Sequence, residues 1–569
     1  MKTQALRLIF LVVGLLFMGY TLTIPNYHAW QHILLNSSLY GFLLSLVVVS
    51  TKIGELLTPD RLYSRFHSRS WRWIWLTLLI LGFVILQNHV RGHIPKPTTY
   101  DELAYVLSAE TFVQGRWSMP SPPGWEHFET IHVTLSPTYH AKYQPGMGLV
   151  LALGQYFFHH PYYGVILVLM LASVSLDEMV RAWLPSHWSF LASTVGAITL
   201  ADIWNTYYMG GPLAVLAGSL LLLTLRRALD QTVSWHHGFM LGVSFAVFFW
   251  SRPFEGAVLS LGVCAYGFLV LMYHRRWFVL FRLLPGVILV GVLMVFLQAD
   301  YNKACTGSSW NMPYLEHERQ YGLCPLFLWQ NIRNELPAYR HVELARFHQT
   351  VLRWYEQQRV GKDWLDILCF KLGVVWIFFF PVLWLAVWYS LPELWQEQWS
   401  RALLFIFLYF VLSLLSITWL FHHYVAPALP LMCILVIQGL RVLSRGRAFG
   451  QPAGKYGVTY LVITFMVVML VKPGYAAKEK LFPGVEVRLE LEEQLVARGG
   501  QHIVVVSYSP DQPHGQEWVY NSALIDKQQV IWARSMTVEK DSELLKLYPN
   551  RQAWRLFIDK TRIDLKANK

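Results

Sequence analysis

Runs of about 18 or more apolar residues recur along the chain, separated by polar connections, and each is long enough to cross a membrane as a helix. The pattern predicts helices near 6–24, 33–57, 72–90, 162–183, 188–204, 209–225, 238–252, 256–273, 283–299, 371–390, 402–420, 425–440 and 456–472. A shorter run, 146–160, opens on Pro145-Gly146 and reads as a segment that enters the bilayer only partway. The expectation is a polytopic α-helical membrane protein with eleven to thirteen spans and two large polar loops, 91–145 and 300–370. From about 473 the pattern changes. Ile503–Tyr508 and Gln529–Ala533 predict strands, 486–497 predicts a short helix and 544–547 the start of another, so the tail 473–569 reads as a small α/β domain.

Composition agrees with the membrane reading, at 54% hydrophobic residues and 14% charged. The net charge of +12 does not point to nucleic acid, because the basic residues gather in short connections between apolar runs. Lys52, Arg61, Arg65, Arg69 and Arg72 form one such cluster. Arg226-Arg227, Arg275-Arg276 with Arg282, and Arg441, Arg445 and Arg447 form the others. If every cluster is cytoplasmic, so is the N-terminus, while both polar loops, the turn at Arg252, Phe421–Tyr424 and the tail are extracytoplasmic. The first apolar run resembles a signal peptide but lacks a small-residue cleavage site, so it reads as a retained helix in a bacterial inner membrane. Cys264, Cys369 and Cys433 fall in or beside apolar helices; Cys305 and Cys324 share a polar loop, where a disulfide is permitted but not established.

Candidate chemistry concentrates in Thr99–Gly148, rich in carboxylates, aromatics, prolines and histidines. Asp101-Glu102 heads the stretch just past an apolar helix, and Lys142-Tyr143-Gln144-Pro145-Gly146 closes it. Taken alone, an acidic pair behind Thr98-Thr99 is an ordinary solvated helix start. Its setting, at a membrane face and ahead of a long aromatic loop, also suits chemistry on a lipid-borne substrate.

These residues resemble the GT-C-fold glycosyltransferases, in the branch of the protein O-mannosyltransferases and the lipid A aminoarabinose transferase. Asp101-Glu102 matches the Asp-Glu motif of that family's first large extracytoplasmic loop. Tyr143-Gln144-Pro145-Gly146 resembles its Tyr-Pro-Pro-Gly start of the next helix, with Gln where Pro is common. The resemblance covers about 70–300, so 1–70 would hold extra N-terminal helices and 71–472 a GT-C-like core. It implies transfer of a sugar from a polyprenyl-phosphate donor to an acceptor hydroxyl on a protein, lipid or glycan. Phosphate already leaves well, so the reaction needs a base for the acceptor and no strong acid, unlike glycoside hydrolysis. Asp101 is the expected base, with inversion at the anomeric carbon, and Glu102, about 100° away on a helix, supports it.

Developing phosphate charge calls for cations and donors nearby, and Lys142, Arg252, His422 and His423 with Tyr424 are the candidates. Arg252 equally fits a local pair with Glu255, and the histidines fit interfacial packing. Tyr143 and Tyr139, with Trp117 and Trp125, are candidate substrate contacts, although anchoring at the interface accounts for most of the 25 tryptophans. Tyr301–Trp310 and Glu316-His317-Glu318-Arg319 in the second loop suit either an acceptor site or plain loop structure. No residues have the spacing of a closed zinc site and no cofactor is indicated, while a divalent ion is compatible with the resemblance. The rival reading is a transporter or flippase of a lipid-linked or anionic substrate, which paired broken helices with mid-membrane charges would favour. A third reading is a non-catalytic membrane scaffold.

Overall fold

The computed structural model describes residues 2–24, 28–50, 68–230, 232–335, 337–360, 364–447, 453–476, 483–509, 517–559 and 563–567; Lys52, Arg61 and Arg65 lie outside them. In chain order the first elements are α1 (Lys2–Thr23), α2 (His28–Ser50), α3 (Arg69–Arg91), α4 (Tyr100–Val113), β1 (Met119–Pro120), β2 (Val133–Thr134), β3 (Thr138–Ala141) and α5 (Pro145–Phe158). There follow α6 (Tyr162–Trp183), α7 (Ser186–Trp204), α8 (Gly211–Leu229), α9 (Trp235–Ser251), α10 (Pro253–Tyr273), α11 (Phe278–Thr306), α12 (Pro313–Tyr321) and α13 (Val342–Val360). The chain continues through α14 (Trp364–Ile377), α15 (Trp384–Gln396), α16 (Gln398–Leu414), α17 (His422–Val425), α18 (Leu429–Ser444) and α19 (Ala453–Ala476). The tail holds α20 (Pro483–Ala497), β4 (His502–Tyr508), β5 (Val530–Arg534), α21 (Val538–Leu547), β6 (Gln552–Ile558) and β7 (Ile563–Ala567).

The chain forms two compact units, each discontinuous in sequence. The helical unit draws on Met1–Pro95, Ile166–Leu293 and Val360–Glu479. Among the described residues, eight helical segments are long and apolar enough to span a membrane, or nine if α15 and α16, bent by 120°, count as one. The remaining predicted spans are α2, α7 and α9, apolar helices of 23, 19 and 17 residues. This is an integral membrane protein. The helix predicted at 371–390 is broken instead: α14 ends at Ile377 and α15 begins at Trp384. Pro381 lies in the break between Phe380 and Val382, both at positive φ, where a proline cannot continue the helical hydrogen-bond ladder.

Arg72 is likewise not a loop residue. It lies inside α3 at 2% exposure, ion-paired with Asp177 of α6, and donates to Ser189 Oγ at 3.0 Å and Ser193 Oγ at 2.9 Å. Buried charge survives in such a setting only when paired and hydrogen-bonded, and losing one partner leaves the other stranded. Asp177→Ala is expected to cost about 3–5 kcal/mol and to lower the thermal midpoint of the detergent-solubilised protein. Arg72→Met combined with Asp177→Leu should recover most of that loss, and a double variant no better than Asp177→Ala would sink the account.

The second unit draws on Lys96–Val165, Met294–Arg359 and Lys480–Lys569. Its larger sheet runs β5-β4-β6-β7, with β4 parallel to both neighbours and β7 antiparallel on β6. Alternation along β4 and β5 sends side chains to two cores. Val504, Val506, Val530 and Trp532 meet Trp518, Trp554 and Leu556 on one face. Ile503, Ile531 and Ala533 on the other meet Ala104 and Leu107 of α4 and Phe128, Val133, Leu135 and Tyr139 of the first loop. Loop and tail therefore share one core. The two predicted strands are β4 and β5, and the helix predicted near 544 starts earlier, at Val538 behind a Thr537 N-cap.

Glu110 marks the seam between α4 and the tail, accepting the Ala523 N–H at 2.8 Å. Burial raises its carboxyl to about 7, only partly opposed by that donor. A raised carboxyl pKa means the folded state holds its proton more tightly. The associated stability is full below about 4.5 and is lost as pH rises through about 7. Glu110 keeps partial solvent contact, so we expect Glu110→Gln to stabilise this unit by only about 1–2 kcal/mol at pH 8. Melting curves at pH 5 and pH 8 test this; an equal effect at both would refute it.

Candidate active site

The site grows from the start of α4. Thr99 is its N-cap, and its hydroxyl accepts the Glu102 N–H. Glu102 returns the bond, its carboxylate accepting the Thr98 and Thr99 N–H groups at 3.0 and 2.9 Å and both hydroxyls at 3.3 and 3.1 Å. At 0% exposure, Glu102 is committed to the cap. Asp101, one residue earlier, turns away from that network, and its side chain is 37% exposed. The helix N-terminus favours its negative charge.

Two groups aim at the Asp101 carboxylate. The Tyr143 hydroxyl donates to Oδ1, and His132 Nε2 lies 4.0 Å from Oδ2. Tyr143 directly precedes Gln144, the N-cap of α5, where Pro145 occupies a position that needs no N–H donor. Its ring stacks on Tyr105 at 4.7 Å, and its carbonyl accepts the Tyr301 hydroxyl at 2.8 Å. The sequence pair Asp-Glu and the Tyr-Gln-Pro-Gly run, forty residues apart, thus meet through one hydrogen bond. His132 adopts the left-handed conformation, φ +65°, uncommon for a residue with a side chain and a frequent mark of functional positions.

Beside Tyr143, Lys142 is 7% exposed, with Nζ 3.5 Å from Glu318 Oε1 and over the rings of Tyr143 and Tyr314 at 5.3 and 5.2 Å. His317 and His348 complete the cluster, the His132 and His317 rings lying 6.1 Å apart. Burial pushes the His132 imidazole well below its usual range, aided by the Lys142 charge, and pushes His348 to about 3. His317 is lowered by burial too. Burial pushes the Glu318 carboxyl up, but Lys142 and His317 outweigh it and hold it at about 2. At neutral pH these three rings are uncharged, and Lys142 faces an ionised Glu318. The arrangement offers a partly exposed carboxylate, oriented by a phenol, beside neutral imidazoles and the Lys142–Glu318 ion pair.

Other predicted residues lie elsewhere. Tyr139, expected at a sugar face, is buried, and its hydroxyl donates to the Asn521 carbonyl at 2.9 Å, so it holds the loop to the tail. Trp117 Nε1 donates to Asp300 at 2.8 Å, and Arg340 lies over Trp125. Arg252, His422 and His423 belong to the helical unit. Arg252 sits over the Tyr424 ring at 4.8 Å, His423 stacks on that ring at 4.7 Å, and His422 stacks on Phe378 at 5.2 Å. His422 Nε2 and His423 Nδ1 are buried without a hydrogen-bond partner. Sequence reasoning missed His132 and His348, which no local motif marks. It singled out His317 and Glu318 only as part of a charged run. Among the described residues, no three His, Cys, Asp or Glu side chains are placed to hold a metal ion. Cys305 and Cys324 are both free thiols, and Cys264 is exposed on α10.

No protein-family model and no curated protein matches the sequence. Solved structures do match in fold. ArnT from Cupriavidus metallidurans in its apo state is 12% identical over 87% of this chain and 94% of its own, with a TM-score of 0.52. The oligosaccharyltransferase AglB of Archaeoglobus fulgidus, solved with an inhibitory peptide and a dolichol-phosphate, is 11% identical over 85% of this chain and 69% of its own, with a TM-score of 0.39. The chain has the fold expected from its sequence, that of the GT-C membrane proteins.

Proposed function

We propose that this protein is a membrane glycosyltransferase that moves a sugar from a polyprenyl-phosphate donor to an acceptor hydroxyl on the extracytoplasmic side. The observation that carries the reading is the Asp101 carboxylate, partly exposed at a helix N-terminus and aimed by the Tyr143 hydroxyl. The fold similarity to ArnT supports the class. In this mechanism Asp101 takes the acceptor's proton as the acceptor oxygen bonds to the anomeric carbon. The bond from that carbon to phosphate breaks, its electron pair leaves with the polyprenyl phosphate, and the carbon inverts. Asp101 then returns the proton to solvent. Glu102 acts at one remove, by fixing the helix start. Lys142 supplies positive charge towards the departing phosphate, with Glu318 holding the ammonium in place. Arg252, His422 and His423 form a second candidate phosphate-binding group, in the helical unit.

Membranes containing the protein, supplied with a panel of radiolabelled polyprenyl-phosphate sugars, test the reading. Asp101→Asn keeps the shape but not the base, and should reduce transfer at least about 100-fold. Tyr143→Phe should reduce kcat about tenfold, the worth of one hydrogen bond to a charged group, with KM for the donor unchanged. Wild-type transfer by Asp101→Asn would remove it from the mechanism.

A further inference from the structure

Tyr520 of the tail reaches the backbone on both sides of the Asp101 site. Tyr520 is buried in the core shared by loop and tail, and its hydroxyl lies 3.0 Å from the Tyr100 carbonyl and 3.0 Å from the Ile131 carbonyl. Tyr100 immediately precedes Asp101, and Ile131 immediately precedes His132. One phenol thus bridges the backbone beneath the two side chains that face each other at 4.0 Å. Flanking contacts point the same way: the Glu517 N–H donates to the Tyr100 hydroxyl at 3.1 Å, and the Ala523 N–H to Glu110 at 2.8 Å.

We propose that Tyr520 is a positioning residue for the proposed transfer, setting the distance between Asp101 and His132 from the tail side; this rests on the assignment of Asp101 as base. The bland account is a buried tyrosine finding partners for its hydroxyl. That account covers the bond to the Ile131 carbonyl but not the one to the Tyr100 carbonyl. Tyr100 is the first residue of α4, and carbonyls at a helix start already have partners inside the helix, since the unpaired ones lie in the last turn. The contact is therefore not needed to satisfy that carbonyl. What it adds is a fixed place for the helix start, and shifts of about 1 Å at a reacting group cost as much as about 100-fold in rate.

Tyr520→Phe keeps the ring in the core and removes only the bridge. In the detergent-solubilised protein, hydrogen exchange should quicken in segments 99–104 and 130–134 and stay unchanged in 502–508 and 530–534. Transfer from the polyprenyl-phosphate sugar panel should fall about tenfold in kcat with the donor KM unchanged. Because both act through Asp101, Tyr520→Phe with Tyr143→Phe should lose less than the product of the single losses. Unchanged exchange in both loop segments would overturn the proposal whatever the enzyme does, and so would loosening of the tail strands as well, the mark of a merely structural residue. Wild-type kcat in Tyr520→Phe beside loss in Asp101→Asn would overturn the positioning role alone. Full activity in Asp101→Asn would instead overturn the assignment of the base.

Discussion

A helix start leaves backbone N–H groups without partners, and in this protein the Glu102 carboxylate turns back to collect those just ahead of α4. That commitment decides the fate of its neighbour. With Glu102 buried in the cap, Asp101 must project from another side of the same turn, towards Tyr143 and His132. Two adjacent residues of the same chemistry acquire opposite roles because one is spent on the backbone and the other is not. The neutral histidines and the Lys142–Glu318 pair then form surroundings whose charge changes little near neutrality.

Much of this was legible in the sequence, for a physical reason. Spans follow from hydropathy over about 20 residues, and the helix bounds moved mostly by a few residues. Where a span failed, at 371–390, the cause was a proline that hydropathy does not weigh. Arg72 misled for a related reason. A charge at the edge of an apolar run reads as loop unless its partner is known, and Asp177 lies 105 residues away.

The site was legible where it is local. Asp101-Glu102 and the Tyr143–Gly146 run are short motifs, and each marks a helix start whose capping chemistry is written in consecutive residues. His132, His317 and His348 come from three separate stretches, brought together by packing that no local pattern encodes. The tail shows the same divide. The β-branched runs announced β4 and β5, whereas β6, with Arg555 and Phe557 exposed between Trp554, Leu556 and Ile558, was missed because an apolar Phe557 on the exposed face hides its alternation in the sequence. The number of apolar positions was readable; the face they would share with the first loop was not.

That shared face ties the timing of assembly to the site. The first loop cannot complete its core until residues near 503–548 have been made, and the hydroxyl of Tyr520 meets Tyr100 across 420 positions of chain. Contacts so distant in sequence form late, after the intervening segments are in place. During synthesis the loop that carries Asp101 therefore waits, with part of its apolar surface uncovered, for a tail that follows some 400 residues later. A ribosome that stalls before the tail leaves behind a membrane-inserted chain whose carboxylate is present but unseated, so synthesis through Tyr520 becomes a condition of a finished site.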